Sequence, residues 1–247
     1  MIRLSPAISV ARAVLLDLAR RRDLAVAGIF MAAMLLLLAI ARGIGIEDPA
    51  TGTFLLNLGL SSAAGLAWIM VLLLAARQFP EELENRTLYP LLARPVHRAE
   101  VLVGKWIACA LAGMGLYAAM TLPVLLLAPR LESYDGLTAL QMVALQGPAL
   151  MAIAAWSMAF SLLLPKGPAL LVSGALVFAA GPLRRFGEDA FPLWLLPDVS
   201  RLDLVLRYTD GIGPLPAPDV VRLVVCALVW TLLGLSAGAW LFGRKKL

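Results

Sequence analysis

The chain has 247 residues, of which 61% are hydrophobic and 15% charged, with a mean hydropathy of +0.88. A soluble domain carries roughly 45–50% apolar and about 25% charged residues, so this composition excludes a water-soluble enzyme and places the chain in a bilayer. The net charge of +5 and pI near 9.6 do not indicate nucleic acid, because the bases flank apolar runs instead of clustering on one soluble face.

At about 20 apolar residues per spanning helix, the length accommodates six spans and leaves no room for a separate catalytic domain. The expectation is an all-α integral membrane protein, one transmembrane domain over 1–247. Ser5-Pro6 starts a helix, with Ser5 as N-cap and Pro6 as first helical residue. Ile8, Ala11, Leu15 and Leu18 share one face, with Ser9, Arg12 and Arg20 elsewhere. Residues 1–23 are expected to form an amphipathic helix lying in the interface. A signal peptide is the competing reading, but the apolar region comes late and no convincing cleavage site follows. The first two spans are predicted at 24–41 and 54–76.

The stretch 77–105 is densely charged and sits between two apolar runs. Acids come first (Glu81, Glu82, Glu84), then bases (Arg86, Arg94, Arg98, Lys105). Pro80 suits the first turn of a helix, and Glu81 and Glu82 would then face the positive end of its dipole. Leu83, Thr87, Leu88 and Leu91 recur at helical spacing, and Pro90 and Pro95 limit the helix. The pattern E-x-x-x-R-T-L-x-x-L-L-A-x-P-V-x-R-x-x-x-L-x-G-K runs through Glu82, Arg86, Thr87, Leu88, Leu91, Leu92, Ala93, Pro95, Val96, Arg98, Leu102, Gly104 and Lys105. It resembles the first cytoplasmic loop of ABC type-2 exporter permeases. The resemblance implies that 77–100 holds a short cytoplasmic coupling helix between spans 2 and 3, which meets a separate ATP-hydrolysing subunit. The expected coupling residues are Glu81, Glu82, Arg86, Thr87, Leu88, Leu91, Arg94, Pro95, Arg98 and Lys105. The alternative is an ordinary solvated loop whose prolines merely connect two helices.

Further spans are predicted at 101–128, kinked at Pro123, and at 138–164, broken at Gln146-Gly147-Pro148. A tight turn at Pro165-Lys166-Gly167-Pro168 precedes spans at 169–183 and 222–242. The intervening segment 184–219 breaks the pattern. Phe191 to Pro197 is apolar but too short to span, and Asp198 is placed to cap a short helix with Val199, Leu202, Val205 and Leu206 on one face. Asp203 and Arg207 stand at i,i+4 in the favourable order. This reads as a broken, partly re-entrant outer element, tolerated only against protein; the alternative is a plain extracytoplasmic loop.

With both termini inside, 14 of the 21 Lys and Arg residues are cytoplasmic and 7 lie outside, as the positive-inside rule requires. No span carries an ionisable residue at its middle. Ion-coupled transporters need such a group, so movement of a substrate would be driven from outside the bilayer. The chain has no phosphate-binding Gly-x-x-x-x-Gly-Lys-Ser/Thr loop, so the ATPase would be another polypeptide.

Two enzyme readings fail on the same ground. Glu81-Glu82-Leu83-Glu84-Asn85-Arg86 resembles a motif of membrane CAAX-type proteases, and Gly59-Leu60-Ser61-Ser62 suggests an intramembrane serine nucleophile. Both need membrane histidines, and the chain has one histidine, His97, in a predicted loop. Cys109 and Cys226 read as packing residues. Met31, Met34, Met151 and Met158 read as core or lipid-facing side chains sooner than as soft-metal ligands. Trp68, Trp106, Trp194 and Trp240 are expected in an aromatic belt. Small residues recur every fourth position at Gly104, Ala108 and Ala112 and at Gly234 and Gly238. This spacing suits close helix contact, either within the chain or at a dimer seam.

The resemblance implies a permease subunit of an ABC exporter in the bacterial inner membrane. Two copies would form the pathway and a separate ATPase would drive alternating access. No cofactor is expected in this chain; ATP and Mg would sit on the partner. An uncharged interior favours a hydrophobic or amphipathic cargo. Alternatives are a membrane scaffold or regulatory subunit without transport, and a permease that assists copper-enzyme maturation.

Overall fold

A computed structural model describes residues 4–19, 22–43, 49–84, 97–127, 135–186 and 199–244. Among them no strand occurs. The helices are α1 (Leu4–Ala19), α2 (Arg22–Gly43), α3 (Pro49–Glu84), α4 (Arg98–Leu127), α5 (Gly136–Leu163), α6 (Lys166–Phe186), α7 (Val205–Thr209) and α8 (Ala217–Arg244), with a 3-10 turn at Val199–Leu202 before α7. Among the described residues, four helices are long and apolar enough to cross a membrane: α3, α4, α5 and α8. The chain is therefore a multi-pass membrane protein.

Helices α3 and α5 form the centre. In the most apolar window of α3, 61% of the residues are buried inside the bundle, against 17% for α8. The exposed residues of α8, Val225, Val229, Leu232 and Leu233 among them, face where lipid would be, since a bilayer needs no polar exterior. Helix α8 packs along α5, and α4 fills the side between α3 and α1.

Each small-residue row has an observed partner within the chain. A Cβ on Gly104 would stand 2.6 Å from the Ala7 carbonyl oxygen and 2.9 Å from the Val10 Cβ, so the glycine is what lets α1 lie against α4. Ala108 is fully buried and Ala112 packs against the core. A Cβ on Gly234 would meet Ala155 at 3.1 Å, and one on Gly238 would meet Leu102 at 3.3 Å, which seats α8 on α5 and α4.

Several expectations change. In α1 the inward face is Ala7, Ala11 and Leu18, while Ile8 points away, because Gly104 draws the backbone at Ala7 into contact. Helix α5 runs through Gln146-Gly147-Pro148 without a break. Pro148 costs one backbone bond, and the surrounding bundle holds the helix together regardless. Pro80 does not begin a new helix; it lies inside α3, which continues to Glu84. At 36 residues and 1.5 Å per residue, α3 is about 54 Å long, well beyond the roughly 30 Å of hydrocarbon.

The outer segment also differs in detail. Helix α6 continues to Phe186, so Arg184 and Arg185 belong to its last turn. Residues 191–198, with the apolar dip and the Asp198 cap, lie outside the described residues. Beyond them stand two short pieces instead of one helix. Val199, Leu202 and Val205 are buried as expected, but Leu206 is exposed and Leu204 takes its place inside. The Asp203–Arg207 pair does not form. Asp203 Oδ1 accepts from the Val205 N–H (3.1 Å), and Arg207 Nε–H donates to the Gly213 carbonyl (2.7 Å). Gly211 and Gly213 have φ of 66° and 86°, a left-handed turn that glycine adopts without strain. Gln141 then clamps the chain into α8: its side chain both donates to the Leu215 carbonyl (3.0 Å) and accepts from the Leu215 N–H (2.8 Å).

Candidate functional site at the charged end of the bundle

The C-terminal end of α3, the N-terminal ends of α4 and α6 and the C-terminal end of α8 meet at one end of the bundle. Helix α4 begins with a local signal. Glu100, at the third helical position, accepts from the His97 N–H (3.1 Å), which is one half of a capping box. His97 itself is exposed, as its loop assignment implied.

Seven residues into α4, Lys105 is fully buried and forms an ion pair with Glu82 of α3. Its ammonium also lies 4.6 Å from the centroid of the Phe79 ring. The Phe79 ring packs at a 57° tilt against that of Phe242 of α8, with centroids 5.1 Å apart. Arg98 closes the group: its Nη1–H donates to the Phe242 carbonyl (2.9 Å) and its guanidinium lies 5.7 Å from that ring. Opposite charge, two rings and a helix C-terminal carbonyl thus tie three helix ends into one unit. A desolvated ammonium over an aromatic face gains about 2 kcal/mol or more. The acid partner is what makes burial of the charge tolerable.

A second ionic group joins α3 to α6. Lys166 lies 3.1 Å from Glu84 and 3.8 Å from Glu81. Of the expected coupling residues, Glu81, Glu82, Arg98 and Lys105 are therefore brought to one end of the molecule. Arg86, Thr87, Leu88, Leu91, Arg94 and Pro95 lie outside the described residues. Sequence reasoning missed Phe79, Phe242 and Lys166. The first two look like ordinary span residues in a linear reading, and only the meeting of α3 with α8 gives them a role. Reading the spans by their midpoints also missed that the bundle buries a charge near its end, at Lys105.

The aromatic belt is only partly observed. Trp68 is inside the bundle, with its Nε1–H donating to Gln146 Oε1 (2.9 Å), since an indole N–H that finds a buried acceptor need not seek the interface. Trp106 Nε1–H donates to the Met151 carbonyl (3.0 Å). Trp240 is exposed beneath Arg244, 3.9 Å from its ring centroid, as a belt residue would be; Trp194 lies outside the described residues. Cys109 and Met158 are buried packing residues, whereas Cys226 is exposed.

A family model described as ABC-2 family transporter protein matches residues 7–182. The chain belongs to the ABC-2 transporter family. The match spans α1 to α6 and includes the whole stretch between α3 and α4 that carries the charged end. No curated protein matches the chain. The family assignment and the apolar helices together make this a membrane domain of the permease kind.

Proposed function

We propose that this chain is the permease subunit of an ABC exporter, driven by a separate ATPase that docks on segment 77–100. The single observation that carries the reading is the buried Lys105–Glu82 pair at the two flanks of that segment. The segment leaves α3 after Glu84 and re-enters at Arg98. Its two anchors are locked to each other and, through Phe79, Phe242 and Arg98, to α8. A push on the segment would therefore move three helix ends together, which is what a coupling element must do.

In this reading α2 and α6, of 22 and 21 residues, complete six spans at about 1.5 Å per residue. Both termini and the charged end are cytoplasmic, at a bacterial inner membrane. Two copies form the pathway and alternate access to a cargo. This chain performs no catalysis; ATP and Mg belong to the ATPase, as family membrane components typically work with such a partner. A scaffold role would use the same docking surface but move nothing.

The test is Leu88→Asp. Burying one leucine at a partner is worth about 1.5–3 kcal/mol, roughly tenfold or more in affinity. The variant should insert at normal yield yet lose ATPase copurification and cargo-stimulated hydrolysis. Intact copurification at normal yield would remove this segment as the docking site.

A further inference from the structure

The charged end also contains a cavity between two helices. It measures about 430 Å³ and lies between α3 and α6, lined by Leu73, Ala76, Arg77, Glu81, Lys166 and Leu170 together with Gly167. Ligand pockets are commonly about 300–1,000 Å³, so the size suits a small molecule or a headgroup.

Its lining is graded. Leu73, Arg77 and Glu81 fall at i, i+4 and i+8 along α3, one stripe of a helix. Lys166 and Leu170 fall one turn apart along α6. Charge stands toward the helix ends, and Leu73 and Leu170 lie one turn further in, with Ala76 beside Arg77. The same polarity, charge at the end and hydrocarbon deeper, belongs to a lipid at the edge of a bilayer. Two bases, Arg77 and Lys166, stand in the lining with Glu81, and Glu84 lies at its edge beside Lys166, so what the lining offers an anion is spare N–H donors on two cations. Lys166 is already held by Glu84 and Glu81, but an ammonium has three donors and a guanidinium five, so each can hold a carboxylate and a further anion. Gly167 leaves the rim open, since a Cβ there would meet nothing within 4 Å. Next to Leu170, Leu171 of α6 faces outward and offers an apolar edge for a tail.

We propose that this cavity binds the anionic headgroup of a lipid-like amphiphile. Arg77 and Lys166 hold the phosphate or carboxylate, and Leu73 and Leu170 pack against the first methylenes. A free inorganic anion would leave the apolar floor unused, and a metal cation would face two bases. That the amphiphile is also the transported cargo rests on the permease reading above; the binding site does not.

The experiment uses the full chain, purified without any ATPase, in phosphatidylcholine nanodiscs. Fluorescent phosphatidylglycerol is titrated against fluorescent phosphatidylcholine, with inorganic phosphate as competitor. The wild type should prefer phosphatidylglycerol and resist displacement by inorganic phosphate. Arg77→Gln with Lys166→Gln should weaken that binding at least about tenfold, while Lys166→Arg retains it. Leu170→Trp, which fills the apolar part of the cavity, should weaken binding without altering any charge. Equal affinity for both lipids, or unchanged binding in the double Gln variant, overturns the proposal. Displacement by inorganic phosphate would mark a free-anion site and overturn it as well. Since binding is read on the permease alone, its loss leaves ATPase docking standing, and a failed Leu88→Asp test leaves the cavity standing.

Discussion

Removing either partner of the Lys105–Glu82 pair should have unequal consequences. The Lys105 side chain is 1% exposed and that of Glu82 is 29% exposed. Glu82→Gln leaves the buried ammonium with no opposite charge, only a neutral amide oxygen and the Phe79 ring. Breaking a buried pair from one side costs about 3–5 kcal/mol, and this variant should fall in that range. Lys105→Met removes the buried charge and leaves Glu82 at an opening where water can reach its carboxylate. Its cost should be smaller, about 1–2 kcal/mol, mostly the lost ring contact. The double variant Glu82→Gln with Lys105→Met buries no charge, so it should recover most of the loss from Glu82→Gln. Apparent melting of the detergent-solubilised protein provides the assay, at roughly 2–4 °C per kcal/mol for a chain of this size. ATPase copurification on the same four samples separates stability from coupling. If Lys105→Met is as damaging as Glu82→Gln, or if the double variant is worse than both, the pair does not bury an ammonium in the way described.

Other outcomes follow from single contacts. Gly104→Ala should push α1 off α4, an overpacking cost of about 1–3 kcal/mol. A cysteine at Ala11, buried in the native packing, should then react with maleimide, whereas in the Gly104 background it should stay protected. Gln146→Leu should cost about 1–3 kcal/mol by stranding the buried Trp68 N–H, and adding Trp68→Phe should return part of that loss in a melting assay. Burial pushes the Asp203 carboxyl above its ordinary 3.8, partly offset by the bond from the Val205 N–H. The folded state then holds that proton more tightly than the unfolded chain. Stability should therefore fall as pH rises through the folded value and be greatest below the unfolded one. Asp203→Asn keeps an acceptor for Val205 and should flatten this mildly acidic part of the melting profile; an unchanged profile would argue against a desolvated carboxyl.

The sequence made the helices legible because hydrophobic run length is a strong local signal. Residues 101–128 and 138–164 were readable as spans, and α4 and α5 end within a few residues of those limits. Proline was the misleading letter. Pro80 and Pro148 lie inside continuous helices, because tertiary packing in a bundle outweighs the loss of one backbone bond. The glycine rows were readable as contact stripes, but their partners were not. Only the fold shows that Gly104 meets Ala7 and that Gly234 meets Ala155. Both are contacts within one chain, so neither row is required for a dimer seam.

The charged end was legible as a set of residue types and illegible as a mechanism. The density of acids and then bases along 77–105 shows that this part of the chain leaves the hydrocarbon. They do not show that Glu82 and Lys105, 23 positions apart, meet inside the bundle while Glu81 and Glu84 turn toward Lys166 on another helix. That division comes from helical geometry. Residues 81 and 82 on one helix are about 100° apart at 3.6 residues per turn, so neighbouring acids address different helices. Continuing α3 through Pro80 without a break is what fixes this angle. A separate helix starting at Pro80 could rotate independently of the span, and its acids could turn away from Lys105 and Lys166 together. The continuous helix delivers each acid to a set partner, Glu82 to Lys105 and Glu84 to Lys166. The rest of the expected surface helix, beyond Glu84, lies outside the described residues, so the continuous end of α3 bears only on how Glu81, Glu82 and Glu84 are aimed.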